Sequence, residues 1–397
     1  MPGRFWISMP RNISALPVLI ALATGSFAIG TTEFATMSLL PFIEDGLSID
    51  PTTASHIISA YALGVVFGAP VITVLAARVA RKPLLLILMS LFALGNALSA
   101  VAPSYGSLML CRFLAGIPHG AYFGLASLVA ASVVDPAKRT QAVGYVMLGL
   151  TTATVVGVPL ATWLGHAAGW RAGYWVITAI ALSAVVLIAI YAPRDRAASD
   201  ASAVRELGAL TRVSVWLTLA IGAVGFGGMF AVYTYVTSTL EQVTGLSEQW
   251  IPVVLCIFGL GMTFGNAVLP RFADRALMPT AGALLVWSAI ALACFPLVAG
   301  NAWLITLDVF CIGIGGALGP VLQTRLMDVA GDAQNLAAAL NHVAFNMANA
   351  LGPWVAGLAL AAGFGLRSTG AVGCLLALGG LAIWMIAITH ARMIERR

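Results

Sequence analysis

Residues 83–103, PLLLILMSLFALGNALSAVAP, form an apolar run that contains no charged side chain. At 1.5 Å per residue in an α-helix, a run of this length crosses the roughly 30 Å hydrocarbon core of a bilayer. Its apolar residues do not alternate with polar ones, as the strands of a membrane β-barrel require. The segment therefore predicts a transmembrane helix.

The rest of the chain has the same apolar character. Of its 397 residues 60% are hydrophobic and 9% are charged, whereas soluble domains carry about 25% charged residues. This composition excludes a water-soluble globular enzyme. The net charge of +5 is scattered between apolar segments, so no nucleic-acid partner is expected. The five cysteines lie inside apolar stretches without metal-ligand spacing, and no cofactor is expected.

Twelve apolar runs bounded by charged residues predict an all-α membrane protein with twelve transmembrane helices. The first run is too long, and too often interrupted by polar residues, to be a cleaved signal peptide. The runs cover residues 15–40, 53–76, 83–103, 106–132, 141–165, 170–192, 214–240, 249–270, 277–299, 301–324, 335–360 and 367–389.

The basic residues predict the orientation of these helices. With the N-terminus inside, all of the 20 Lys and Arg residues except Arg112, Arg171 and Arg367 lie on the inner side. Membrane proteins carry such an excess of Lys and Arg in their cytoplasmic segments. We therefore expect a multi-pass protein of the cytoplasmic (inner) membrane, embedded in the lipid bilayer, with both termini in the cytoplasm.

One polar stretch divides the chain into a first half of residues 1–192, a cytoplasmic linker of 193–213 and a second half of 214–397. The halves contain similar strings at a nearly constant offset: RFLAGIPHGA in the fourth run matches DVFCIGIGGA in the tenth. Repeats at a fixed offset indicate duplication. Many secondary transporters consist of two such repeats and bind substrate at the bilayer midplane between them.

Longer strings resemble the major facilitator superfamily, in its drug:proton antiporter branch. They are FAIGTTEF at 27–34, CRFLAGIPHG at 111–120 and PVLQTRLMDVAGDAQNLAAALNHVAFNMANALGPW at 320–354. Within that branch they are similar to the arabinose-efflux-permease-like group, which includes sugar, nucleoside and chloramphenicol exporters. The resemblance implies two pseudo-symmetric six-helix halves and proton-coupled export by alternating access.

The chain departs from the superfamily's cytoplasmic latch after the second helix. Ala77 stands where the family has an acid, whereas the basic residues Arg78 and Arg81 remain. The second half retains Asp274 and Arg275 at the matching place. We expect Arg78, Arg81, Asp274 and Arg275 to form an inner gate. This gate should depend more on the second copy of the motif, in the second half, than on the first.

Ionisable residues inside the predicted helices are candidates for proton coupling, because an unpaired charge in the membrane is costly. Glu33 lies two-thirds along the first run, Arg112 lies near the start of the fourth, and Asp308 matches Arg112 in the tenth. We predict that Glu33 is a proton site or a site for a cationic substrate, and that Arg112 tunes or pairs with an acid. A purely structural role is the alternative for each. Asp308 is predicted either to contact Arg112 across the halves, to be a second proton site, or to lie near the outer surface.

A polar stripe on the eleventh run suggests a substrate cavity. Asn335, His342, Asn346 and Asn349 share one helical face. Such a stripe suits hydrogen bonding to a polar substrate, and hydrogen bonds between helices explain it equally well. Further candidates for the cavity wall are His119, Tyr233, Tyr235 and Asn341.

These features predict a proton-coupled exporter of a small neutral or weakly charged molecule, a drug such as chloramphenicol or a sugar-like compound. We expect it to work as a monomer. A metabolite importer or uncoupled facilitator is the alternative, and a membrane-embedded enzyme is a remote one. The sequence has no H-E-x-x-H zinc motif or Walker motif, so neither metal-dependent catalysis nor ATP-driven transport is expected.

Overall fold

The computed structural model describes residues 14–194 and 203–395. Among these residues, twelve helices are long and apolar enough to cross a membrane, which confirms the predicted fold. The first half contains α1 (Ala15–Leu47), α2 (Pro51–Leu75), α3 (Arg81–Val101), α4 (Tyr105–Ser132), α5 (Pro136–Gly165) and α6 (Trp170–Tyr191). The second half contains α7 (Val213–Gln242), α8 (Ile251–Ala273), α9 (Leu277–Val298), α10 (Ala302–Val329), α11 (Gln334–Ala361) and α12 (Ser368–Glu395).

The helix ends follow local sequence chemistry. The carboxylate of Asp50 accepts the backbone N–H of Thr53 at 3.1 Å, and Pro51 occupies the first helical position of α2. Both are typical of a helix start. The helix α1 continues through Pro41 to Leu47, beyond the predicted end at residue 40. A proline inside a membrane helix is tolerated because neighbouring groups satisfy the freed backbone carbonyl.

Four helices contain a local break near their middle. The helix α4 turns between Gly116 and His119, and α10 passes through a tight turn at Gly315–Ala317. The helices α5 and α7 each widen by one π-helical turn, at Ala153–Gly157 and Ile221–Gly225. Such turns often accompany functional sites.

Each half has its own apolar core. In the first half, α1 packs against α5 and α6 around buried side chains such as Phe92 and Tyr122. In the second half, α7 packs against α11 and α12, and Phe295 is among the buried residues. The halves meet where α11 contacts α2 and α4, and where α8 contacts α5. The boundary at 193–213 remains a prediction, and residues 195–202 lie outside the described part.

The outward-facing side chains are largely apolar. Large residues such as Leu75, Leu297 and Trp303 are among the most exposed in the structure. Water would not stabilise such a surface, whereas lipid would. We call the end of the bundle that carries the start of α1 and the end of α12 the terminus end, and the opposite one the distal end. That the terminus end faces the cytoplasm remains a prediction.

Candidate functional site

A cavity of about 60 Å³ lies between the two halves, near the middle of the helices. Its polar lining consists of Glu33, His119, Thr151, Asn266, His342 and Asn346. Its aromatic lining consists of Phe34, Phe226, Phe230, Tyr233, Phe258 and Phe345. A cavity of this volume holds a few water molecules, so a drug-sized molecule fits only after the helices separate.

Glu33 presents a carboxyl group to this cavity from α1. Within the described residues it accepts no hydrogen bond and forms no ion pair. Arg112 acts on it electrostatically but is not paired with it. An acid in such a place is stable when it binds a proton or a cation. The position is therefore suited to reversible loading.

Arg112 lies behind the cavity in the core of the first half and is 1% exposed. Its Nη1 donates to Thr32 Oγ1 at 3.1 Å and to Asn96 Oδ1 at 3.4 Å. The guanidinium also lies over the rings of Tyr61, at 4.5 Å, and Tyr174, at 5.4 Å. Hydrogen bonds and cation–π contacts thus hold the charge without a carboxylate partner within the described residues.

A chain of polar rings connects this arginine to the second half. The hydroxyl of Tyr61 forms a 2.9 Å hydrogen bond with His119 Nδ1. His119 Nε2 lies 3.3 Å from His342 Nδ1, a hydrogen bond that crosses between the halves. The ring of Phe123 stacks on His342 with centroids 4.1 Å apart, and His342 Nε2 has no partner among the described residues. The histidines thus join the halves at the cavity wall.

Asp308 does not contact Arg112, so the predicted alternative of a contact between halves is wrong for this conformation. Arg112 is held by groups of its own half, whereas Asp308 is buried in α10. Its Oδ2 has no hydrogen-bond partner among the described residues. The two positions match in sequence, but Arg112 has hydrogen-bond partners in its own half, whereas Asp308 is buried without a partner for Oδ2 in the described residues. A role for Asp308 as a second proton site remains a prediction.

Of the other predicted cavity residues, His119, His342, Tyr233 and Asn346 line the cavity. Tyr235 does not, because it is two residues from Tyr233 and lies on the opposite face of α7. Its hydroxyl donates to the carbonyl of Pro353 at 3.3 Å.

Two asparagines of α11 also lie away from the cavity. Asn341 is buried beside the stripe, and Asn349 is two turns beyond His342 towards the distal end. Helical periodicity predicted the face of α11 on which Asn349 lies, but not its position along the helix axis relative to the cavity. Substrate contacts by any of these residues remain predictions.

Asn335 also lies outside the cavity, at the terminus end of α11. Its side-chain amide donates to Glu206 Oε1 at 2.6 Å. It is two helical turns from His342, so it shares the face of that residue but not its depth. The prediction that Asn335 belongs to the polar cavity stripe is wrong for this conformation.

Asp274 bridges the halves at the terminus end. Its two carboxylate oxygens accept the backbone N–H groups of Thr140, at 2.7 Å, and Gln141, at 3.1 Å. These groups lie in the first α-helical turn of α5, which begins at Arg139 after the short turn Pro136–Lys138 and where N–H groups lack intrahelical partners. Nearby, Arg139 forms a 2.7 Å ion pair with Asp328 of α10. Of the other predicted gate residues, Arg78 and Arg275 are exposed and Arg81 begins α3.

Glycines allow the halves to pack closely at this end. A Cβ added at Gly124 of α4 would lie 2.6 Å from the backbone nitrogen of Ala339 in α11. A Cβ added at Gly144 of α5 would lie 2.8 Å from the carbonyl oxygen of Asn266 in α8. Any larger residue would force these helices apart. The terminus end of the bundle is therefore closed in this structure.

Sequence reasoning missed several residues of this site. Tyr61, Thr32 and Asn96 hold Arg112, and Asn266 presents to the cavity an oxygen without a partner in the described residues. Asn96 and Asn266 were detectable as isolated amides within apolar runs. Nothing in the sequence singled out Tyr61, because a tyrosine in a helix bundle usually serves packing.

Comparison with known proteins places this fold in a family. The family model described as Major Facilitator Superfamily matches residues 22–286. The chain is 38% identical over 378 residues to the inner membrane transport protein YdhP of Escherichia coli, covering 95% of this chain and 97% of the relative. It is 34% identical to a chloramphenicol resistance protein of Streptomyces lividans, covering 91% and 92% of the two chains.

A solved structure has the same fold. The crystal structure of FucP, a major facilitator superfamily transporter in the outward conformation, superposes with a TM-score of 0.73 at 15% identity. The match covers 93% of this chain and 98% of FucP, and at this identity it shows the fold alone. The chain belongs to the major facilitator superfamily, and the resemblance to its arabinose-efflux-permease-like group is confirmed. It is a multi-pass membrane transporter.

Proposed function

We propose that this transporter exports a small neutral or weakly charged molecule in exchange for protons, by alternating access. The observation that carries the proposal is the carboxyl group of Glu33, which faces the cavity without a partner among the described residues. Such an acid binds a proton when the cavity opens to one side and releases it when the cavity opens to the other.

Arg112 and the histidine pair support this role. Arg112 holds a fixed positive charge behind the cavity that Glu33 lines, so a compensating charge is present when the carboxyl group is ionised. The hydrogen bond between His119 and His342 must break when the halves separate at the cavity. The group that would release the proton, Glu33, and the histidine pair that separates when the helices move therefore line the same cavity.

The cavity lining supports the substrate class. Six aromatic rings favour a molecule with flat or apolar faces, whereas Asn266, His342 and Asn346 supply a few hydrogen-bonding groups. Glu33 is the one acidic residue of the lining within the described residues. One proton moving inward releases about 2.3 kcal/mol per 100 mV, which supports an about 40-fold gradient of a neutral substrate.

The experiment is transport by the purified chain in proteoliposomes with an imposed proton gradient, using chloramphenicol and a set of simple sugars as probes. We expect gradient-driven movement of at least one probe, because a relative of 34% identity is a chloramphenicol resistance protein. Glu33→Gln abolishes the dependence on the gradient but retains substrate exchange. Glu241→Gln, which neutralises an exposed acid at the distal end of α7, is the matched control.

Each outcome decides a part of the proposal. Full coupling in Glu33→Gln removes Glu33 from the mechanism. Movement of substrate with the proton in the same direction indicates an importer, and movement that does not depend on the gradient indicates a facilitator.

We further propose that the protein works as a monomer in the cytoplasmic membrane with both termini inside. A tag at either terminus should then be protected from protease in intact spheroplasts.

A further inference from the structure

The connection between the halves contains a short linker helix, Ala203–Leu207. It lies at the terminus end and packs against both α2 of the first half and α11 of the second. Its Glu206 is only 5% exposed, which is unusual for a glutamate in a connection between domains. A buried carboxylate requires hydrogen-bond donors, and in this structure α11 provides them.

Glu206 caps the first turn of α11. Its Oε2 accepts the backbone N–H of Leu336 at 2.9 Å, and its Oε1 accepts the side-chain amide of Asn335 at 2.6 Å. The N-cap residue of α11, Ala333, has no side chain that can do this. An acid at a helix N-terminus satisfies free N–H groups and interacts favourably with the helix dipole. Glu206 thus supplies a cap that the helix itself lacks.

The same arrangement occurs at the pseudo-equivalent place in the other half. Helix α5 opens with a short turn, Pro136–Lys138, which Asp135 caps, and its α-helical part begins at Arg139 after Lys138, which provides no side-chain cap. Asp274 accepts the N–H groups of Thr140 and Gln141 in the first turn of that α-helical part. Asp274 comes from the loop after α8, whereas the matching position after α2 is Ala77, which has no carboxylate. In both helices, an acid from another element therefore binds N–H groups in the first α-helical turn. In α11 that acid comes from the linker.

The rest of the linker is anchored at the same place. Ala209 is fully buried in an apolar cluster with Ala333 and Leu336, and Val74 of α2 packs against that cluster. Arg212 Nη1 donates to the carbonyl of Val329 at 3.5 Å, at the end of α10. The linker thus contacts both halves where they close. When α2 and α11 separate, it can follow only one of them.

We propose that Glu206 is a gating residue: together with Asp274 it locks the terminus end closed, and it fills the place of the acid missing at Ala77. The linker is then a working part of the gate and not a passive tether. This inference rests on family membership and on alternating access. It does not depend on proton coupling, on the substrate or on the direction of transport.

The test measures how the two ends exchange between open and closed. The full chain, with its five native cysteines replaced, is placed in lipid nanodiscs, where a soluble maleimide reaches both ends. Ser127→Cys reports on the terminus end, because Ser127 is fully buried in α4 next to the closed interface. Phe34→Cys, in the cavity wall on α1, reports on access from the distal end.

Glu206→Gln removes the charge but keeps the size of the side chain. We expect labelling at position 127 to rise about threefold to tenfold, the effect of losing a charged helix cap, and labelling at position 34 to fall. Asp274→Asn should produce the same reciprocal change. Glu241→Gln, the exposed control, should produce none. A merely structural defect would raise labelling at both reporters.

A second-site change tests whether the linker acid replaces the loop acid. Ala77→Asp in the Glu206→Gln background should return both labelling rates towards those of the parent chain. Unchanged rates in Glu206→Gln, or a parallel rise at both reporters, would overturn the gating role. A reciprocal shift that Ala77→Asp does not reverse would overturn the substitution for the missing acid.

Discussion

The two halves of this transporter share a helix plan but differ in their polar interiors. The first half encloses Arg112 in a network with Thr32, Asn96 and Tyr61, whereas the matching Asp308 of the second half is buried with one oxygen unpartnered among the described residues. The lining of the cavity is also divided between the halves. Its acid, Glu33, comes from the first half, and all its aromatic rings except Phe34 come from the second.

The halves thus share a scaffold, whereas the polar chemistry inside them differs. Packing requires similar glycines and apolar faces in both halves, so these features recur at matching positions. A charged side chain buried in a membrane helix requires several hydrogen-bonding or oppositely charged partners at once, because each unsatisfied group is costly there. The first half provides them for Arg112, whereas Oδ2 of Asp308 has no partner in the part of the chain that the structure describes. We therefore expect substitutions in the two halves to have unequal effects.

The largest effect is expected at Arg112. Arg112→Lys keeps the charge but loses the planar group that donates to Thr32 and Asn96, and each hydrogen bond to a charged group contributes about 1.5–3 kcal/mol. Losing both should lower the initial transport rate about a hundredfold. Asp308→Asn, the matched change in the second half, should alter it less than about twofold. Equal losses in the two variants would show that the halves share the role.

An intermediate effect is expected where α4 meets α11. Gly124→Ala places a methyl group against the backbone of Ala339 and should open the terminus end, raising labelling at the Ser127→Cys reporter about tenfold. Gly106→Ala, in the same helix, meets no atom within 4 Å and is the control. It should leave labelling unchanged. A matching rise in both variants would mean that helix propensity, and not the interface, caused the change.

The smallest effect is expected at the histidine bridge. His119→Phe and His342→Phe each remove the 3.3 Å hydrogen bond between halves, so the double variant should lose little more than either single one. The coupling energy in a double-mutant cycle of reporter labelling should be about 0.6 kcal/mol, typical for hydrogen bonds between membrane helices. Strictly additive effects would show that the two rings do not act as a pair.

Much of the fold was predictable from local sequence. The run at 83–103 predicted α3, and the other eleven runs predicted the remaining membrane helices, because hydropathy sums over neighbouring residues. The end of α1 was not predictable, since the helix passes through Pro41 with support from its surroundings. Boundaries therefore moved by several residues while the number of helices held.

The site was predictable in part. Glu33, His119, His342, Tyr233 and Asn346 line the cavity as expected from their position in apolar runs, whereas their roles remain predictions. Asn335 shows why the rest was missed. Helical periodicity gives the face of a side chain but not its depth in the bundle, and Asn335 lies at the level of the linker helix.

The sequence by itself determined that this chain spans a membrane twelve times, that its second half repeats its first and which ionisable residues are placed in lipid-embedded helices. Those conclusions depend on composition and spacing along one helix. Only the tertiary structure decided that Tyr61 joins Arg112 to His119, that His342 completes a bridge between halves and that Glu206 caps α11. These contacts join residues far apart in the chain, and the rotation and depth of each packed helix decide which of them meet.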